Sequence, residues 1–233
     1  MGVITISRAY GSDGRTVGLR VAEALGYLYL DKELVIRVAL EAGVPVSKVE
    51  CFDEQPEHPV IHMFKKALTS SALEALGTES WTWVPGRASP VVTDLEAKAL
   101  LLMDEGAYVR LTQKVMWRLT NGGNVVIMGR GAYAYLAHQP DVLHVRIVAP
   151  ETFRVQTVVQ RDGLSPVEAA KQIRKVDQKR RRYVDRYYGL NWDALEYYHL
   201  VINTGRIGVE GAADIIVQAG RRLPNVQRLA FVT

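Results

Sequence analysis

The run Val3-Ile4-Thr5-Ile6-Ser7 leads into Arg8-Ala9-Tyr10-Gly11-Ser12-Asp13-Gly14-Arg15-Thr16, and the two read together as strand, glycine-bearing loop and helix start. Length and β-branching mark residues 3–6 as a buried strand. Gly11 and Gly14 can take backbone angles closed to other residues, so consecutive N–H groups can turn inward onto an anion. A helix beginning near Arg15 turns its positive end to the same place.

The phosphate-binding pattern G-x-x-x-x-G-K-[ST] is met only in part. Gly14 and Thr16 match. Ala9 stands at the first glycine, with Gly11 displaced from it, and Arg15 stands at the lysine. Arginine keeps a permanent charge and can fork onto phosphate oxygens, so the substitution preserves the physics while breaking the pattern. Thr16 stands where a magnesium-binding hydroxyl is needed. The same residues also suit a plain glycine-rich turn between a strand and a helix, and the loop alone does not separate the two readings.

Further along, strand and helix signals alternate. A helix is expected over 16–25, stopped by Gly26, then a strand over 27–30 and a helix over 32–42. Asp31 either caps that helix or stands on the carboxyl edge of the sheet, near magnesium-bound water or an acceptor phosphate. After a break at 43–45 and a short helix at 47–52, residues 53–103 lose the alternation. Pro56, Pro59, Pro85 and Pro90 punctuate them, and Trp81 and Trp83 lie in a stretch of little periodicity. This reads as a helical and looped insertion, leaving 1–52 and 104–233 as the core. Alternation returns with a helix at 104–119 and strands at 124–128, 142–148 and 200–202. Helices are expected at 151–160, 165–188 and 209–219. Ser165, Pro166 and Glu168 form a strong start signal for the long one. The fold class is α/β, a mainly parallel sheet with helices on both faces.

Arginines cluster at particular places. Gly129-Arg130-Gly131 follows a buried strand, on the edge where open parallel sheets bind ligands, and Arg130 there can meet a phosphate bidentately. Arg154 and Arg161 share a helix face. Arg174, Asp177, Arg181 and Asp185 form a stripe on the 165–188 helix, with Ile173, Val176, Tyr183 and Tyr187 on a core-facing one. The charged stripe reads either as a salt-bridged solvent face or as a lid that converges on a transferring phosphoryl group.

Composition bounds the rest. A formal charge of +4 suits a phosphorylated small molecule as well as a polyanion. A single cysteine permits no intramolecular disulfide. No apolar run reaches the ~20 residues that span a bilayer, and the N-terminus enters a strand without a signal-peptide pattern, so a cytoplasmic protein is expected. The five histidines carry no metal-ligand spacing. The basic run 179–182 lies inside an amphipathic helix with acidic residues interleaved, which disfavours a nucleic-acid partner.

Five segments in order resemble the cytidylate kinase-like family of P-loop kinases. They are Ile4 to Arg15, Leu25 to Leu34, Val126 to Ala132, Val176 to Tyr183 and Leu200 to Thr204. The likeness covers 1–45 and 110–220; 53–105 matches poorly. It implies a P-loop kinase fold with an acceptor-binding insertion and a short arginine-rich lid at about 161–188. It also implies ATP with Mg²⁺ as donor and a pyrimidine nucleoside monophosphate, CMP or dCMP, as acceptor. By position, Gly11, Ser12, Asp13, Gly14, Arg15 and Thr16 would hold the donor phosphates, and Thr16 and Asp31 the metal. Asp31 and Arg130 would meet the acceptor phosphate. Arg161, Arg174, Asp177 and Arg181 would form the lid, and Asn203-Thr204 would lie near the donor base. Arg15, Arg130, Arg174, Asp177 and Arg181 are thereby the catalytic candidates. A non-catalytic nucleotide sensor and a kinase of a non-nucleotide small molecule are the alternatives. The oligomeric state is not legible.

Overall fold

β1 (Val3–Arg8) is buried along its whole length in a computed structural model of the chain, which describes residues 2–31 and 105–222. Its continuous burial follows from its central place. It pairs in parallel with β3 (Val125–Met128) on one side and β4 (Val142–Val148) on the other. β2 (Leu28–Leu30) lies outside β3, and β5 (Leu200–Asn203) outside β4, so the five strands run β2-β3-β1-β4-β5 among the described residues. The chain leaves β1 toward one edge and later crosses to the other. Ligand crevices in open parallel sheets lie at such a reversal, beyond the carboxyl ends of the strands.

Alternate strand residues point to opposite faces. Ile4, Ile6, Val126, Met128, Val145 and Ile147 pack under α1 (Gly14–Leu25) and α6 (Thr204–Arg222), against Val17, Val21 and Ile216. Val3, Val125 and Ile127 face the other way. They meet Tyr108 and Met116 of α2 (Glu105–Asn121), Tyr133 of α3 (Ala132–Tyr135) and Tyr183 of α5 (Pro166–Tyr188). α4 (Glu151–Asp162) and the first half of α5 form a hairpin with a third apolar cluster of its own, made by Val158, Ala169, Ile173, Val176 and the loop residue Tyr10. A short 3-10 turn at Leu195–Tyr197 precedes β5.

The expected elements fall close to the observed ones, with instructive differences. β1 runs on to Arg8 because Ala9 N–H still bonds Ile147 O, at 2.9 Å. α1 starts at Gly14, ahead of the expected 16. α6 starts at Thr204, where 209 was expected: Gly208 (φ 74°, ψ 175°) breaks the helix, and only the part after that kink carries the apolar periodicity. The helices expected at 32–42 and 47–52 and the insertion at 53–103 lie outside the described residues. Among the described residues, no helix is long and apolar enough to cross a membrane.

Candidate phosphate-binding site

The loop after β1 is closed on itself by one side-chain bond and held from behind by Asp177 and Thr204. Tyr10 N–H donates to Asp177 Oδ1 at 2.9 Å, and Ser12 Oγ donates to Ala9 O at 2.8 Å. Thr204 Oγ1 lies 2.8 Å from Ser12 O and 3.1 Å from Val148 O. Gly11 takes φ +79°, and a Cβ there would stand 2.7 Å from Arg154 O, so position 11 admits only glycine without strain. The first helical bond runs from Val17 N–H to Asp13 O, at 3.1 Å. The N–H groups of Gly14, Arg15 and Thr16 therefore precede the α1 ladder and emerge at its positive end.

That end opens on a cavity of about 160 Å³ lined by the loop, by Arg15 and Thr16, and by Arg8, Asp31, Arg161 and Arg180. The volume suits a chain of phosphates, and the guanidiniums supply the opposite charge. Asp31 is 4% exposed and sits among three of them: Arg8 Nη2 at 3.5 Å, Arg15 Nε at 3.4 Å and Arg130 Nη1 at 3.5 Å. Burial pushes its carboxyl up, but Arg8, Arg130 and Arg15 outweigh burial and hold it below the usual carboxylate range. An ionised carboxylate so surrounded anchors cations already present. It fits poorly as a direct metal ligand, and no cluster of three or more His, Cys, Asp or Glu able to hold a metal lies among the described residues. The Thr16 hydroxyl, exposed at the cavity, does fit one.

Arg130 is itself left-handed (φ 53°) between Gly129 (φ 71°) and Gly131 (φ 66°). This turn folds its side chain inward, where Nη1 also meets Met128 O at 3.3 Å. It joins the cavity through Asp31 and does not line it. Gly131 is required because a Cβ there would strike the Tyr188 ring.

The stripe expected on α5 is split. Asp177 turns inward, taking Tyr10 N–H on one oxygen and Arg154 Nη1 on the other at 2.7 Å. Arg174 stays exposed, 3.4 Å from Glu151 Oε1. Arg181 bonds Asp193 at 2.5 Å and lies 5.4 Å over the Trp192 ring. Asp193 also receives Arg146, whose buried guanidinium stacks 3.5 Å from the Trp192 centroid. The helix buries positions 173, 176, 177, 180, 183 and 184, so the inward face contains Asp177 and Arg180 together. Arg180 reaches the cavity in place of Arg174 and Arg181. It is 2% exposed and donates to Arg8 O at 2.7 Å. Spacing held the signal: Arg180 lies seven residues after Ile173 and three before Tyr183, a charged residue on the apolar stripe. Arg8 carries no such signal: in sequence it stands at the strand-to-loop junction, and its inward place follows from β1 running on to it.

Arg161 lines the cavity, whereas Arg154 braces the loop, its Nη1 also 3.4 Å from Tyr10 O. Asp13, in the left-handed conformation (φ 54°), precedes α1 without a capping bond from its side chain. Thr204 is buried, and its hydroxyl supports the loop from beneath.

A five-stranded parallel sheet in the order β2-β3-β1-β4-β5, helices on both faces and a glycine loop from β1 into α1 define a P-loop kinase fold. Comparison with known proteins narrows this. The profile of the cytidylate kinase-like family matches residues 3–206, and the chain belongs to that family. A cytidylate kinase from Pyrococcus horikoshii is 37% identical over 98 residues, covering 42% of this chain and 50% of that one. A uronate isomerase from Corynebacterium glutamicum is 29% identical over 142 residues, 61% of this chain but 27% of that protein. The chain thus spans half or less of these two curated relatives. A crystal structure of an uncharacterized protein from Eubacterium ventriosum shares the fold, with a TM-score of 0.62, 17% identity and coverage of 95% of this chain and 99% of that one.

Proposed function

We propose that this chain transfers a phosphoryl group from ATP to a small phosphorylated acceptor, a pyrimidine nucleoside monophosphate (CMP or dCMP). The observation that carries the reading is the cavity at the N-terminus of α1, walled by Arg8, Arg15, Arg161 and Arg180. The acceptor class rests on family membership and on cytidylate kinases such as the one from Pyrococcus horikoshii.

In this reading the N–H groups of Gly11 and of Asp13 to Thr16 hold the donor phosphates, that of Ser12 being bonded to Ala9 O at 3.3 Å. Arg15, half exposed, swings between Asp31 and the transferring group. Arg161 and Arg180 face it from the hairpin side and neutralise developing charge. Asp31 keeps Arg8 and Arg15 aligned, and Arg130, buried behind it, acts on the acceptor side through that carboxylate. Asp177 acts through the loop it fastens. Arg174 and Arg181 join only if the hairpin moves, since each is held by an outward partner. Mg²⁺, when bound, would add further charge neutralisation at the donor phosphates, and Thr16 is the side chain that would hold it. An acceptor that is already a phosphate anion needs no general base. Such a donor and the lone cysteine suit the cytoplasm.

The test is ADP release by the full chain with ATP, Mg²⁺ and a panel of nucleoside monophosphates. Turnover is expected to be fastest with CMP or dCMP. ATP binding without turnover on any acceptor would instead assign a nucleotide sensor, and turnover only on an unphosphorylated compound would assign a small-molecule kinase.

A further inference from the structure

Tyr10 belongs to the loop, yet its side chain belongs to the α4–α5 hairpin. The ring packs with Val158, Ala169, Ile173 and Val176 and is 9% exposed. Its hydroxyl carries a complete set of partners. Arg161 Nη2 donates to it at 2.6 Å and Gln172 Nε2 at 2.8 Å, while its own proton goes to Asp162 Oδ2 at 3.3 Å. A phenol has one donor and two acceptor sites, and all three are used. Asp162 in turn takes Arg161 Nε at 2.8 Å and Nη2 at 2.9 Å. The Arg161 guanidinium also lies 4.9 Å from the Tyr10 ring centroid. A long, half-exposed arginine is thereby fixed by a phenol, a carboxylate and an aromatic face, at the wall of the anion cavity.

We propose that Tyr10 is a positioning residue: it holds the Arg161 guanidinium over the phosphate loop and ties the α4–α5 hairpin to that loop. Both attachments come from one residue. The backbone N–H of Tyr10 is fastened to Asp177 of α5, and the side chain reaches α4 through Arg161 and Asp162. An arginine fixed before the ligand arrives loses less side-chain entropy on binding than a free one. The loop residue and the hairpin then respond to phosphates as one unit. This inference rests on the reading of the cavity as the donor site.

A double-mutant cycle on the full chain tests it, with ATP affinity read by calorimetry. Tyr10→Phe keeps the ring that fills the hairpin core and removes only the hydroxyl. It is expected to weaken ATP about tenfold, as is Arg161→Ala, and the double variant should be no weaker than Arg161→Ala alone. Tyr10→Phe with wild-type affinity, or losses that multiply in the double variant, would give Tyr10 a packing role only and overturn the inference while leaving the donor site intact. No ATP binding by the wild-type chain would remove the donor site and this inference with it. Should Tyr10→Phe not fold, Gln172→Met decides. It takes one partner from the hydroxyl without touching the loop, and is expected to weaken ATP about two- to threefold. Unchanged affinity there counts against the proposal.

Discussion

Gly11 and Gly26 both take left-handed angles, φ +79° and +65°, but only Gly11 is also crowded, since nothing lies within 4 Å of a Cβ at Gly26. Alanine at 26 therefore costs about 1 kcal/mol of backbone strain. Alanine at 11 adds overpacking, for a total of about 2–4 kcal/mol. Thermal melting of the two variants checks the order. Asp31 is the other residue with little latitude. Asp31→Asn leaves Arg8 and Arg130 buried without their shared anion, and a loss of about 3–5 kcal/mol is expected. Because its folded pKa is depressed, the Asp31 contribution is complete above the ordinary carboxylate range and disappears as pH falls through the lower folded value. Acid titration of the Asp31→Asn variant should lack that component. At this scale the turn of the loop is legible in sequence, because Gly11 and Gly14 are demanded by backbone angle and close approach. The sequence did not reveal Arg8 or Arg180, whose roles depend on partners 172 positions apart in the chain.

Among the elements, α5 was the most legible. Its start is written in Ser165, Pro166 and Glu168, and a full capping box forms, with Glu168 Oε2 accepting from Ser165 N–H at 3.0 Å. Ser165→Ala is expected to cost about 1 kcal/mol, measurable in denaturant unfolding. The chain fixes where this helix begins and ends, at Gly189 in the left-handed conformation. Which charged residues of this helix turn inward is decided by tertiary contacts: Asp177 and Arg180 are accepted inside because Tyr10 N–H and Arg8 O give them partners. Charge spacing on an isolated helix cannot supply that information. The kink at Gly208 escaped for a related reason, since the first turn of α6 is fixed by Thr204 beneath the loop and not by its own periodicity.

Across the whole molecule, strand alternation announced a parallel sheet, but the order β2-β3-β1-β4-β5 depends on which edge each crossover takes, and no local signal encodes that. Polar side chains join β1 to β4 inside this sheet, Arg146 Nη1 donating to Ser7 Oγ at 2.9 Å. Thr5 Oγ1 and His144 Nδ1 are 2.8 Å apart, and His144 stacks on His199 with ring centroids 5.1 Å apart. Burial, then the neighbouring His199, lowers the His144 pKa to about 4. The unfolded chain, with an ordinary histidine, binds more protons between that value and about 6.5, so stability rises with pH across this window. Stability is expected to be full above about pH 6.5 and to fall by on the order of 3 kcal/mol toward about pH 4. Denaturant unfolding across that range, repeated with His144→Gln, should show the dependence flatten in the variant.

The proposed function turns on one residue: in it Arg15, which pairs with Asp31 at the mouth of the cavity, takes the place of the lysine of the usual phosphate loop and faces the transferring phosphoryl group. The most direct measurement is steady-state ADP release by the wild-type chain and Arg15→Ala at saturating acceptor, with melting temperatures taken in parallel. Arg15 is half exposed, so folding should be retained, while turnover falls about 10²–10³-fold. Equal turnover by the two proteins would contradict the account and move the donor site away from this loop.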